Sequence, residues 1–255
     1  MQCTLYSLLK KERTELRPFE KSTPEELLSG NPYPGRGILL GRTSDGKFAV
    51  AVYFIMGRSE NSRNRVFAIH DGVLSTRPFD ESKVKDPSLI IYNAMRQCGN
   101  DLVVTNGDQT DTICDFLSRD QSFRDALCTR CFEPDGPNYT PRISGIIHFG
   151  DDDLSYELSI LKSADAEGSA CCRQFFMYPA LPGIGHLIHT YETDGSPIPS
   201  FNGEPRCVCV GNDIASFASA LWTSLDENNR ISLCVRATDL ATGESKDIVI
   251  NKNLL

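Results

Sequence analysis

Phe48 to Met56 is an unbroken apolar run of nine residues, Phe-Ala-Val-Ala-Val-Tyr-Phe-Ile-Met. Successive strand residues point to opposite faces, so a strand that is apolar at every position must be covered on both sides. This predicts a central strand in a layered fold. Gly37 to Thr43 reads as its partner, joined through Ser44, Asp45 and Gly46, and Asp71-Gly72 separates a second strand pair, Val66 to His70 and Val73 to Thr76. Further strands are expected over Leu89 to Arg96, Leu102 to Thr105, Arg142 to Phe149, Leu154 to Leu161, Cys172 to Tyr178 and around Leu187 to Tyr191. A closing hairpin, Ile231 to Ala237 and Lys246 to Asn251, turns through Ala241 to Glu244.

Helical signals punctuate the strands. Thr23, Pro24, Glu25 and Glu26 form a capping-box pattern with proline at the first helical position and Gly30 as the stop. Asp108 to Leu117 and Gln121 to Cys131 carry helical apolar spacing. Asp213 to Leu225 places Ile214, Phe217, Ala218, Leu221, Trp222 and Leu225 on one face. Hairpins interrupted by helical blocks predict an α+β fold of packed antiparallel sheets with helices outside, not a doubly wound parallel sheet. With 255 residues, no repeat and no linker, the expectation is one domain, 1–255.

Charge is unevenly spread. Between Tyr33 and Phe67, six basic residues (Arg36, Arg42, Lys47, Arg58, Arg63, Arg65) face two acids, Asp45 and Glu60, a balance of +4 in a chain whose net charge is −8. The densest part, Gly57 to Arg65, lies between two apolar strands and mixes guanidiniums with Ser59, Asn61, Ser62 and Asn64. That combination suits a small anion: arginine offers a planar fork of donors, and neutral side chains orient what the charge attracts. The same loop also reads as a solvated hairpin tip. The acidic remainder disfavours nucleic acid and anionic membrane as partners. No apolar run reaches the roughly 20 residues of a membrane span, and Met1 to Lys11 lacks a secretory pattern, so a cytoplasmic location is expected.

The ten cysteines are scattered, several within apolar runs, and are expected reduced. Cys128 and Cys131 have zinc-knuckle spacing, with His186 and His189 as the imaginable other half, but no second close cysteine pair lies at finger-like distance, so no metal is expected. Dinucleotide and Walker signatures are absent; Gly183-Ile-Gly185-His186 is too short. A nucleotide would have to be held by dispersed polar clusters. Asn106 and Gly107 end a strand where a helix begins and could present N–H groups to a substrate oxygen, or form a turn with Asp108 or Thr110 as cap. Tyr92 and Arg96, four apart, are expected on one strand face with Asn93 on the other.

Taken together, Gly35-Arg36, the Arg-Ser and Asn-Arg loop, Tyr92-Asn93-x-x-Arg96, Asn106-Gly-x-x-Thr110-Asp111 and Thr140-Pro-Arg142-Ile143 resemble the archaeal-type IMP cyclohydrolase family in order and approximate spacing. The similarity is best over Tyr33 to Gly145; the longer arginine loop points to a bacterial-type branch. The resemblance implies a four-layer αββα sandwich like that of the N-terminal-nucleophile hydrolases, and the closure of 5-formamidoimidazole-4-carboxamide ribonucleotide to IMP with loss of water. It implies a purine ribonucleotide as the small-molecule partner and no cofactor, and leaves a homo-oligomer open.

Such a reaction needs an anchor for the phosphate, enforced proximity, a donor to the developing oxyanion and a proton shuttle. Arg36, Arg58, Arg65 and Arg142 are the candidates for the monophosphate and polar ring substituents, with Ser59, Asn64, Asn93, Arg96 and Thr140 as further contacts. Asn106 and Gly107 are candidates for the formyl oxygen. Tyr92 is the first candidate for proton transfer; His186, Tyr191 and Glu204 follow. Two rival readings are a nucleotide-binding protein without catalysis and an amide hydrolase using Cys3 as a processed terminal nucleophile.

Overall fold

The computed structural model describes residues 20–84, 91–150 and 154–255. Cys3 and the start of the strand expected from Leu89 fall outside them. Among the described residues, thirteen strands form two antiparallel sheets. In the first sheet the order is β11 (Arg206–Cys209), β10 (Ile184–His189), β1 (Arg36–Arg42), β2 (Phe48–Met56), β12 (Arg230–Asp239) and β13 (Ser245–Asn251). In the second it is β3 (Val66–His70), β4 (Val73–Arg77), β5 (Asn93–Cys98), β6 (Asp101–Thr105), β7 (Arg142–Phe149), β8 (Leu154–Ser163) and β9 (Cys171–Pro179).

The apolar run of β2 shows why the chain layers. Ala49, Ala51, Tyr53 and Ile55 face the second sheet, while Val50, Val52, Phe54 and Met56 face the opposite way, against α1 (Pro24–Leu28) and α5 (Ile214–Ser224). Both parities are fully buried, as a run apolar at every position requires. On the outer side of the second sheet, Val103, Ile146 and Leu161 pack on α3 (Gln109–Leu117) and α4 (Phe123–Cys128). Three apolar interfaces therefore stack in order, and the α+β arrangement of two packed antiparallel sheets with helices on their outer faces agrees with a sandwich. The sheets touch closely at Gly145, where a Cβ would lie 2.8 Å from Leu40 Cδ1.

Local chemistry sets the helix ends. Thr23 and Glu26 close a reciprocal capping box, with the Glu26 N–H donating to Thr23 Oγ1 at 3.2 Å and the Thr23 N–H to Glu26 Oε2 at 2.8 Å. Asp108 occupies the position before α3 but makes no side-chain cap bond, because its carboxylate is engaged by two arginines.

Two expectations need correction. Cys98 and Cys114 are not free thiols: the last residue of β5 and the middle of α3 bring their Cα atoms to 5.6 Å, and the pair forms a disulfide. Tyr92 and Arg96 do not share a face. The register between β4 and β5 shifts so that Leu74 pairs with Met95 and Ser75 with Asn93, leaving Ala94 as an inserted residue. The bulge reverses the alternation, sending Tyr92 inward and Arg96 outward to Asp111.

Candidate active site

β1 begins, and β2 ends, at the same end of the sandwich as the chain entering β3, β5 and β7. Several polar side chains meet there between the sheets. Gly35 places the first of them: its φ of +80° suits glycine, and a Cβ would collide with Thr190 Oγ1 and the Tyr191 ring. The chain can then turn Arg36 inward while the Arg36 N–H donates to Thr190 Oγ1 at 3.1 Å. Arg65, the last residue before β3, is buried beside it.

The two guanidiniums are incompletely bonded, a state they share with Arg230 elsewhere in the fold. Nε of Arg36 and Nε of Arg65 are both buried without a hydrogen-bond partner. Burial alone would lower the Arg36 pKa, but the surrounding Tyr33, Tyr191, Glu133 and Tyr92 outweigh it and raise the value. Arg65 is shifted down, first by burial and then by the charge of Arg36. Two neighbouring guanidiniums, Arg65 buried and Arg36 half-buried, share the Glu133 carboxylate as the acidic group felt by both, so the site carries more positive than negative charge.

Phenols complete the cluster. Tyr92 Oη and Tyr53 Oη lie 2.7 Å apart. Burial, and then the neighbouring Tyr92, push the Tyr53 phenol well above its ordinary value, so Tyr53 keeps its proton. Tyr191 Oη lies 2.6 Å from Thr140 Oγ1, whose own proton goes to the Asp135 carboxylate, so the Tyr191 phenol is the donor to Thr140. Tyr33 stacks on Tyr191 with centroids 5.7 Å apart. At the rim, Arg58 lies over the Tyr33 ring at 5.0 Å, pairs with Asp194 and donates to the Gly195 carbonyl at 3.0 Å. Arg36, Arg65 and Tyr92 are thus gathered at one place, with Arg58 and Thr140 around it.

Other expected residues are elsewhere or already engaged. Ser59 caps the short helix α2 (Glu60–Arg63), accepting from Ser62 N–H at 3.1 Å. Asn64 pins the following loop, donating to the Asp80 carbonyl at 2.8 Å and accepting from the Asp80 N–H at 2.7 Å. Asn106 donates to the Pro141 carbonyl at 2.9 Å and accepts from Ile143 N–H at 2.9 Å and Gln109 Nε2 at 3.0 Å, so its amide ties β6 to β7. The Gly107 N–H goes to Thr105 Oγ1 at 3.2 Å. The Gly107 N–H is thus engaged, and the Asn106 amide spends its oxygen and one of its two N–H donors on the junction between β6 and β7.

Arg142, Arg96 and Asn93 lie on the outer face of the second sheet, under α3. Arg142 donates to Asp108 Oδ1 and Gln109 Oε1, each at 2.7 Å, and Arg130 reaches the same Asp108 oxygen at 2.6 Å. Arg96 and Asn93 donate to Asp111, at 3.0 and 3.1 Å. Ile143 faces inward, so its neighbour Arg142 must face out. His186 sits opposite Leu40, four strand positions from Arg36 and hence about 13 Å along the sheet. It bonds Tyr156 Oη at 2.6 Å and stacks on Tyr178, whose phenol also feels the Glu204 carboxylate. Burial lowers the His186 pKa to about 4.

Tyr33, Tyr53 and Glu133 escaped the reading of the sequence. Tyr53 carried a usable signal, being the one hydroxyl in the apolar run of β2. Glu133 carried none, lying in a loop between Phe132 and Pro134. Among the described residues, no three His, Cys, Asp or Glu side chains are grouped to hold a metal ion. Nor is any helix among them long and apolar enough to cross a membrane.

Comparison with known proteins agrees with the motifs. The family model described as IMP cyclohydrolase-like protein matches residues 33–244. The chain is 35% identical over 119 residues to the IMP cyclohydrolase of Haloquadratum walsbyi, covering 45% of this chain and 56% of that protein. It is 32% identical over 164 residues to that of Methanococcus aeolicus, covering 63% and 74%. With the Methanopyrus kandleri enzyme it shares 35% identity over 115 residues, or 44% and 57%. The chain thus spans between about half and three quarters of the length of these curated relatives, and on the match over 33–244 it belongs to the IMP cyclohydrolase-like protein family.

Proposed function

We propose that this chain closes 5-formamidoimidazole-4-carboxamide ribonucleotide to IMP with loss of water, as the names of its relatives indicate for them. The observation that carries the reading is the pair of guanidiniums of Arg36 and Arg65, whose buried Nε atoms have no partner among the described residues, beside the phenol of Tyr92. A nucleotide monophosphate supplies the negative charge that such a pair lacks, and enclosure between sheets strengthens every contact made to it.

The chemistry assigned to Tyr92 is proton transfer. As the carboxamide nitrogen attacks the formyl carbon, the carbonyl electrons move to oxygen, which takes the Tyr92 proton. The phenolate then takes the proton released by the attacking nitrogen. In the second step Tyr92 protonates the hydroxyl as the C–O bond breaks, the formamido nitrogen loses its proton, and that proton returns the phenol to its starting state. Protons balance over the cycle, so neither redox chemistry nor a co-reactant is called for. Guanidiniums beside the phenolate stabilise it while it lasts.

Arg58, the exposed cation at the rim, is the first charge the substrate meets. The αββα order is read here as that of the N-terminal-nucleophile hydrolases, used without a terminal nucleophile, in one domain acting in the cytoplasm. Incubation of the purified protein with the formamido ribonucleotide, without added metal, should yield IMP by its ultraviolet spectrum. Tight binding with no product would identify a nucleotide-binding protein instead.

A further inference from the structure

We propose that Tyr53 is a positioning residue for proton transfer by Tyr92. This rests on the cyclohydrolase reading and assigns a role to a fully buried residue.

The two phenol oxygens lie 2.7 Å apart, within ordinary O–H···O distance, so one hydroxyl donates to the other. Direction decides what Tyr92 can do. If Tyr92 donated to Tyr53, its proton would point into the core, away from any bound molecule. Among the described residues Tyr53 has no other hydroxyl or carboxylate partner; it is fully buried and lies beneath the Phe67 ring at 5.4 Å. Its proton is therefore best placed on Tyr92 Oη. That leaves the Tyr92 proton free for the open side, where Arg36 and Arg65 lie.

The strand positions make this arrangement stiff. Tyr53 is on the central strand β2, flanked by β1 and β12, with Ile38 and Cys234 as its register partners. Tyr92 is held from the other sheet, its N–H donating to Thr76 Oγ1 at 3.1 Å and its carbonyl accepting from Thr76 N–H at 3.0 Å. The hydroxyl pair thus spans the gap between the sheets from two fixed backbones. When Tyr92 gives its proton to the formyl oxygen, the Tyr53 hydrogen bond becomes charge-assisted and strengthens, lowering the energy of the transient phenolate. An interaction that strengthens on the way to the transition state acts on turnover and not on substrate binding.

Tyr53→Phe removes one oxygen and keeps the ring that packs on Phe67. It should lower kcat by about tenfold, the worth of one such hydrogen bond, with KM for the formamido ribonucleotide unchanged. In a Tyr92→Phe background the same change should have no further effect on kcat, because Tyr53 acts only through the Tyr92 oxygen. A merely structural role would lower kcat equally in both backgrounds. If wild-type protein turns the substrate over and Tyr53→Phe leaves kcat unchanged, or if the two substitutions multiply, the inference is wrong while the cyclohydrolase reading stands. If folded wild-type protein has no turnover at all, both fall together.

Discussion

Two arginine-rich places lie on opposite faces of the second sheet, and they differ in how their charge is met. Under α3, Arg130 and Arg142 share one carboxylate oxygen of Asp108, and Arg96 pairs with Asp111. Burial alone would raise the Asp108 pKa, but the Arg130 hydrogen bond and the Arg142 charge hold it below the usual carboxylate range. Between the sheets, Arg65 is buried and Arg36 half-buried, yet each leaves a buried Nε without a partner. A partly exposed guanidinium with its carboxylate in place is a structural tie, whereas a buried one without is a cost to the empty fold that a ligand can offset. The same residue type therefore carries opposite meanings on the two faces of one sheet.

The largest effect expected falls on Tyr92. Tyr92→Phe should lower kcat by about 10²–10⁴-fold, measured as IMP formation, with the fold retained by circular dichroism; near wild-type turnover would remove the inner cluster from the chemistry. Next comes Arg65→Met, which should weaken binding of the ribonucleotide by about 100-fold in a titration calorimeter. The same variant should be more stable without ligand, by about 1–3 kcal/mol in urea, because an unmatched buried charge is gone. A variant both weaker in binding and less stable would show that Arg65 is a structural tie after all.

Arg142→Met is the matching experiment on the outer face. It should cost roughly 1–2 kcal/mol of stability and leave kcat/KM unchanged, since its bonds go to Asp108 and Gln109. Loss of activity without loss of stability would reverse the comparison.

The smallest effect concerns a third ion pair, at the far end of the second sheet. His148 lies 2.7 Å from Asp101 and 3.5 Å from Glu157, and hydrogen bonds to these two raise its pKa from 6.5 to about 9. Because the folded value is the higher one, the contribution is full below pH 6.5 and is lost as pH rises through about 9. With the ring partly exposed, the effect should be under about 1 kcal/mol. His148→Ala should thus lower the urea midpoint at pH 6 and match wild type at pH 10.

Much of the layering was legible in the residues. The unbroken apolar run of β2 and the apolar face of α5 are local patterns that translate directly into burial, and the strand bounds Val66–His70 and Arg142–Phe149 fall where the sequence places them. The candidate site was legible only in part. Arg36, Arg65 and Tyr92 stood in recognisable motifs, but so did Arg142, Arg96 and Asn106, and nothing in their spacing said which would be consumed by internal bonds. The bulge at Ala94 was invisible because one inserted residue leaves no compositional trace while it reverses every side chain beyond it. The Cys98–Cys114 bridge escaped notice for a related reason: it depends on how α3 lies across β5.

By itself, the order of amino acids determined that this chain would build buried strands and where basic side chains would crowd near them, because periodicity and charge are properties of neighbours in sequence. Tertiary structure decided which guanidiniums find carboxylates and which reach Tyr92 with a buried Nε left without a partner. That choice depends on side chains arriving from strands far apart in the chain, and on which face of a sheet each one occupies when they meet.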